Sequence, residues 1–198
     1  MKRFVFILVA LVALGLPAFA DLNLVTNGTF DAGCTSWTAA PKPFNTLGYN
    51  ECVQSSPNLL ADSNHGYFAV LNDYPTPIPT MTQTILGLTV GVQYELTWDM
   101  ATAYGPYGSS NPGAGVQIDG NTWTFPLANY QGWTAYSETF TYLGGSTALT
   151  FSSQLNQTDT DAAIDNVSLT AAVPEPSAFV LLGLCLIGVG SLRRRQLV

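Results

Sequence analysis

The chain has 198 residues, a formal net charge of −7 at pH 7 and only 10% charged residues, against 47% hydrophobic and 12% aromatic. Five of its six basic residues (Lys2, Arg3, Arg193, Arg194 and Arg195) lie at the two ends, so residues 21–172 hold one cation, Lys42, against twelve carboxylates, a net charge of −11. Phosphate binding needs Lys or Arg to displace counterions, so nucleic acid is excluded as a partner and anionic lipid is repelled.

In chain order, Lys2 and Arg3 form a positive segment, Phe4 to Leu16 an apolar one, and Pro17-Ala18-Phe19-Ala20 ends in the small-x-small pattern of a signal-peptidase site. This predicts a signal peptide over 1–20 and export. The region 21–172 has the size of one domain with its own core.

Strands are expected at Leu22 to Val25, Tyr67 to Leu71, Met81 to Leu86, Val92 to Met100, Gly115 to Ile118, Thr122 to Phe125, Ala135 to Tyr142, Ala148 to Ser152 and Ala163 to Thr170. Val92 to Met100 shows why: Val92, Tyr94, Leu96, Trp98 and Met100 alternate with Gln93, Glu95, Thr97 and Asp99, the period of a half-buried strand. Asn27-Gly28, Gly87 with Gly91, Asp119-Gly120 and Gly144-Gly145 punctuate the runs, and Asp119-Gly120 between two alternating segments signals a tight hairpin. Many short strands at this spacing, with no helix in 21–172, predict an all-β, two-sheet sandwich. Ala39 to Asn64, Asp73 to Thr80 and Tyr104 to Gly113 read as irregular loops, where binding usually resides.

Cys34 and Cys52 are the cysteines left outside the apolar tail. In an oxidising compartment such a pair forms a disulfide, and the His and Cys neighbours of a tetrahedral zinc site are missing from the sequence around it. A loop of that length gains about 3 kcal/mol.

The end of the chain, 173–198, joins Pro174-Glu175-Pro176, an apolar run from Ala178 to Leu192, and Arg193, Arg194 and Arg195. Prolines around a carboxylate end regular structure, and an apolar run of this length is at the short edge of what crosses a hydrocarbon core of ~30 Å as a transmembrane helix, its arginines staying cytoplasmic. The three-part order resembles the PEP-CTERM sorting signal of Gram-negative bacteria. That resemblance implies inner-membrane anchoring, recognition of Pro-Glu-Pro by an exosortase, and transfer to the cell surface or beyond. A plain C-terminal anchor is the other reading.

Two motifs at opposite ends of the domain carry a second resemblance. Asn27-Gly28-Thr29-Phe30-Asp31 and Ile164-Asp165-Asn166-Val167 are similar to the first and last strands of jelly-roll carbohydrate-binding and galactose-binding-like domains. The resemblance implies that these strands meet and hold a structural Ca²⁺, with Asp31 and Asp165 as carboxylate ligands and Thr29 as a main-chain contributor. Asp31 stands where Glu is more usual. The alternative is a turn cap at Asp31 and backbone bonds at Asp165. The Asp-rich run Asn156 to Asp161 lacks the Gly and Glu of a calcium loop and reads as a solvated turn.

Sugar rings stack on aromatic faces while polar groups bind their hydroxyls. The strand pattern sends Tyr94 and Trp98 to the core. Tyr104 and Tyr107 are the leading ligand candidates, with Tyr74 and Trp37 beside them; for each of Trp37, Trp123 and Trp133 use in the core is favoured over ligand contact. His65, the sole histidine, reads as a surface residue, and no nucleophile motif accompanies it. The expectation is an exported, non-enzymatic surface protein that binds carbohydrate, with exopolysaccharide as the partner implied by the sorting signal. A structural surface protein is the alternative, and a polysaccharide-acting enzyme the third.

Overall fold

The computed structural model describes residues 22–41, 43–44, 51–54, 65–71, 78–102, 113–128, 131–153 and 162–172. The signal segment, Tyr74, Tyr104, Tyr107 and the whole of 173–198 lie outside the described residues.

Among the described residues there are ten strands: β1 (Thr38–Ala40), β2 (Glu51–Gln54), β3 (Tyr67–Leu71), β4 (Thr80–Thr84), β5 (Gln93–Thr102), β6 (Gly113–Ile118), β7 (Asn121–Pro126), β8 (Thr134–Thr141), β9 (Ala148–Ser153) and β10 (Ala162–Ala171). They form two antiparallel five-stranded sheets, β1-β4-β9-β6-β7 and β2-β3-β10-β5-β8. Burial alternates along β5, β4 and β9, so each sheet sends every second side chain into the space between them. Tyr94, Leu96, Trp98 and Met100 of β5 meet Phe151 of β9 and Phe125 of β7 there; the Trp98 ring stands edge-on to both phenylalanines. The hairpin forms at Asp119 and Gly120, both at positive φ (51° and 77°), with Ile118 opposite Asn121.

Two expectations need correction. Leu22 to Val25 is extended but joins no regular ladder, and the irregular span Ala39 to Asn64 contains part of β1 and all of β2. Three- and four-residue strands carry too little pattern to be read locally; β1 is held by pairing with β4, and β2 by β3 and the Cys34–Cys52 disulfide.

The stretch 22–30 acts where β3 stops. β3 pairs only with Ala162 to Ile164 of β10, whereas β5 pairs along its length, across a register shift between Asp165 and Ser168. Beyond Ile164 the vacated edge of β10 is taken by the N-terminal stretch: Val167 N–H donates to Gly28 O (2.9 Å), Leu24 N–H to Leu169 O (2.8 Å) and Leu169 N–H to Asn23 Oδ1 (2.9 Å). The same stretch reaches the other sheet through buried Gln83 of β4, whose Oε1 accepts from Thr26 N–H and whose Nε2 donates to Thr26 O, both at 2.8 Å.

A Cβ at Gly28 would collide with the Val167 carbonyl oxygen. Gly28→Ala should therefore cost about 1–3 kcal/mol and lower the thermal midpoint by roughly 3–10 °C. Gly33→Ala, at φ +63° but with nothing within 4 Å of the new methyl, should cost only about 1 kcal/mol. Paired scanning calorimetry of the two variants checks the difference.

Candidate functional site

Asn27 ties the turn that follows the N-terminal stretch. At φ 53° its Nδ2 donates to Gly33 O and Thr35 O (2.9 Å each), and its Oδ1 accepts from Ala32 N–H (3.2 Å). Phe30, fully buried, packs against Trp37, whose Nε1–H donates to Asn27 O at 3.1 Å. Trp37 is 6% exposed and tilts against Phe151 as well. The expectation that Trp37 offers a sugar-stacking face is overturned: its ring fills the core because the turn folds it inward.

Thr29, Asp31 and Asp165, expected around one metal ion, are each engaged by protein groups. Thr29 Oγ1 donates to Asp31 Oδ2 (2.8 Å), and Asp31 Oδ1 lies 3.8 Å from the Cβ position of Gly66. Next to Gly66 is His65, whose Nδ1 is 2.9 Å from Asp165 Oδ2. Asp165 Oδ1 accepts from Asn166 N–H at 2.7 Å. Among the described residues no group of three or more His, Cys, Asp or Glu side chains is placed to hold a metal ion.

Around this pair stands a cluster with no local sequence signal. The His65 ring stacks on Trp133, centroids 4.1 Å apart and planes 19° apart, and Trp133 meets the edge of Phe68. Asn166, at φ 52° in the irregular part of β10, donates from Nδ2 to Asp99 Oδ2 at 2.8 Å. His65 is thus half-buried, 19% exposed in its side chain, where the sequence suggested a surface residue. Its partner is a hundred positions away, out of reach of any local reading.

Burial, the largest influence, pushes the Asp165 carboxyl up from 3.8 to about 6; the Asn166 N–H and His65 act the other way, and Asp99 adds slightly to the rise. The folded state therefore holds this proton more tightly than the unfolded chain. The associated stability is full below pH 4 and is lost as pH rises to about 6, a fall of about 3 kcal/mol. Urea titrations of chelator-treated protein should show that fall. Asp165→Asn should flatten it while keeping an acceptor for Asn166 N–H.

A different surface covers the outside of the sheet containing β4. Inward residues there alternate with outward ones, and the strand register aligns the outward set in two rows: Thr38, Thr82, Thr150, Gln117, Thr122, and beside it Ala40, Thr80, Ser152, Gly115, Thr124. Thr82 Oγ1 and Thr150 Oγ1 lie 3.1 Å apart, and Ser152 Oγ sits 2.7 Å from the Cβ position of Gly115, which places them on one face. Strands are ~4.8 Å apart, so each row extends for about 19 Å without a charge. At one side a groove of about 430 Å³ opens between Thr38, Thr82 and Thr84 of the sheet and Leu24, Thr26 and Ser36, with Leu86 also lining it. The alternation in Thr-Met-Thr-Gln-Thr and Thr-Trp-Thr was the available signal for this face.

None of the four tryptophans is exposed: Trp37 and Trp98 are buried, and Trp123 and Trp133 are half-buried. The tyrosine candidates Tyr74, Tyr104 and Tyr107 lie outside the described residues. The strand ends that bound their segments, Leu71 with Thr80 and Thr102 with Gly113, lie together at one end of the sandwich, as Leu71 and Thr102 both pair with Ala162 and Thr80 and Gly115 with Ser152.

Residues 172–195 match the PEP-CTERM protein-sorting motif. No curated protein matches the chain in sequence. Among solved structures, the CBM22-1-GH10 modules of Clostridium thermocellum xylanase 10B, complexed with xylohexaose, are 15% identical with a TM-score of 0.53, over 78% of this chain and 29% of that one. A Bacteroides thetaiotaomicron protein whose name proposes sugar binding is 11% identical with a TM-score of 0.53, over 76% of this chain and 100% of its own. A xylan-binding domain of CBM 22 is 11% identical with a TM-score of 0.50, over 77% and 97%. The chain spans only 21% of a bacteriophage CBA120 tailspike domain that it also matches. At these identities the likeness establishes the fold, a two-sheet jelly-roll sandwich shared with carbohydrate-binding modules, joined here to a C-terminal sorting motif.

Proposed function

We propose that the protein is exported, held at the inner membrane by its C-terminal segment until an exosortase processes it, and works at the cell surface or outside as a non-catalytic carbohydrate-binding module. The observation that carries the binding reading is the uncharged hydroxyl face formed by the Thr38 and Thr80 rows with the groove beside it. Hydroxyls and the Gln117 amide donate and accept in turn, which suits a polymer whose own groups are hydroxyls. No cation lies in either row and the domain carries −11, so the ligand is a neutral polysaccharide rather than a uronate or phosphate polymer. The xylan and xylohexaose named for proteins of the same fold are of this class.

Affinity electrophoresis through xylan, mixed-linkage glucan, galactan and alginate should show retention by at least one neutral polymer, none by alginate, and little change with salt. Thr82→Val combined with Thr150→Val should weaken binding by about thirtyfold, for two hydrogen bonds worth ~1 kcal/mol each. The lack of an exposed tryptophan among the described residues favours a second reading, an inert acidic building block of the surface. No retention by any polymer would leave that one standing.

A structural Ca²⁺ is part of the same proposal. The buried Asp165 carboxylate, short of solvation, is relieved by a neighbouring dication, and Asp31 with main-chain oxygens near Thr29 supplies the hard donors Ca²⁺ prefers. His65 would have to give up Asp165 Oδ2 to the ion. At neutral pH, millimolar Ca²⁺ should raise the thermal midpoint of chelator-treated protein by several degrees, and Asp165→Asn should abolish the rise; an unchanged midpoint overturns the site.

A further inference from the structure

Several connections of the fold meet where the chain leaves it. Ala172 N–H donates to Gln93 O (2.8 Å), Gly91 N–H to Tyr142 O (2.8 Å) and Tyr142 N–H to Val92 O (3.0 Å). These bonds set the exit of β10 beside the β4–β5 and β8–β9 connections. The β6–β7 hairpin joins them, as Asp119 N–H donates to Ser146 O and Asp119 Oδ2 accepts from Leu143 N–H. The N-terminal stretch runs antiparallel to β10, from Leu24 opposite Leu169 to Gly28 opposite Val167, so Leu22 belongs to this end too.

Among the described residues, four large aliphatic side chains are more than half exposed, and all four are here: Leu22 at 71%, Leu86 at 77%, Val90 at 65% and Leu143 at 77%. Two approaches bring their segments together: the Cβ position of Gly144, next to Leu143, is 3.4 Å from Val90 Cγ2, and that of Gly87, next to Leu86, is 3.7 Å from Leu24 Cδ2. Among the described residues the hydrogen bonds fix one carboxylate at this end, that of Asp119, which is capped by Leu143 N–H and Gly145 N–H, both at 2.7 Å. Exposed aliphatic side chains gathered at one place mark an interaction surface.

We propose that this end docks on the lipid interface of the membrane in which the C-terminal segment is anchored, so that the uncleaved protein stands upright on its Leu86, Val90 and Leu143 tips. The proposal rests on the anchored reading of the tail. Five residues, Val173 to Ser177, separate Ala172 from the apolar run, and an extended chain of that length reaches at most ~17 Å. The exit point is thus held within ~17 Å of the hydrocarbon boundary, and the large exposed side chains around it are aliphatic while the domain as a whole is acidic. Aliphatic tips sit favourably at the headgroup and acyl boundary, and no cation is required when the chain is already tethered.

The test uses the full chain with Cys185→Ser, so that the paired Cys34 and Cys52 leave no native thiol, and single Val90→Cys, Leu143→Cys or Ala128→Cys substitutions. All three positions are exposed, and Ala128 follows the far end of β7. Each variant carries a polarity-sensitive fluorophore and is reconstituted into vesicles of phosphatidylethanolamine with a minor share of phosphatidylglycerol. Labels at 90 and 143 should be quenched by headgroup-nitroxide lipid and shielded from iodide about fivefold relative to the label at 128. Equal iodide quenching at all three sites in protein that floats with the vesicles overturns docking alone. Protein that does not float overturns the anchored reading, and docking with it. Shielding that appears only when an exosortase is co-reconstituted overturns lipid as the occupant in favour of that protein.

Discussion

The fold depends on a vacancy along β10 and the segment that fills it. Once β3 stops pairing at Ile164, the outer edge of β10 would present unpaired peptide groups beside the core, each expensive to bury. Residues 23–28 supply the missing partners, and Gln83 extends the same segment to the opposite sheet with two side-chain bonds shaped like a strand pairing. Neither sheet closes its end of the core without this strip of chain. The close approach of Gly28 to Val167, the fully buried Phe30 and the knotting of the turn by Asn27 all follow from it.

The same geometry explains the cluster at Asp165. The register of β10 shifts where one partner leaves and another arrives, Asn166 takes a positive φ, and a carboxylate is left nearly enclosed. His65 enters from the start of β3 and is steadied by the Trp133 face. A buried carboxylate at a change of strand partners needs a companion, and the protein places a ring there that is stacked on Trp133, the residue just before β8.

Much of this was legible in the sequence where a pattern repeats. The alternation of Val92 to Met100 identified β5 and its core face, the Asp119-Gly120 pair marked the hairpin, and the two terminal motifs anticipated that the ends of the domain meet. Legibility failed where a residue's role is set by distant chain. β1 and β2 exist because neighbours pair with them, Trp37 is turned inward with its Nε1–H donating to Asn27 O, and His65 finds Asp165 only after folding. The threonine rows lie between: each strand shows its alternation, yet only the register puts five residues abreast.

The neighbouring positions of Leu22 and Ala172 have an architectural meaning. A domain whose first and last described residues emerge side by side is joined to the rest of the chain at one place. Processing at either end, or exchange of the leader or the tail for another, changes what the domain is joined to without crossing either sheet. The two sheets, and the hydroxyl face on one of them, are therefore independent of which segment follows Ala172.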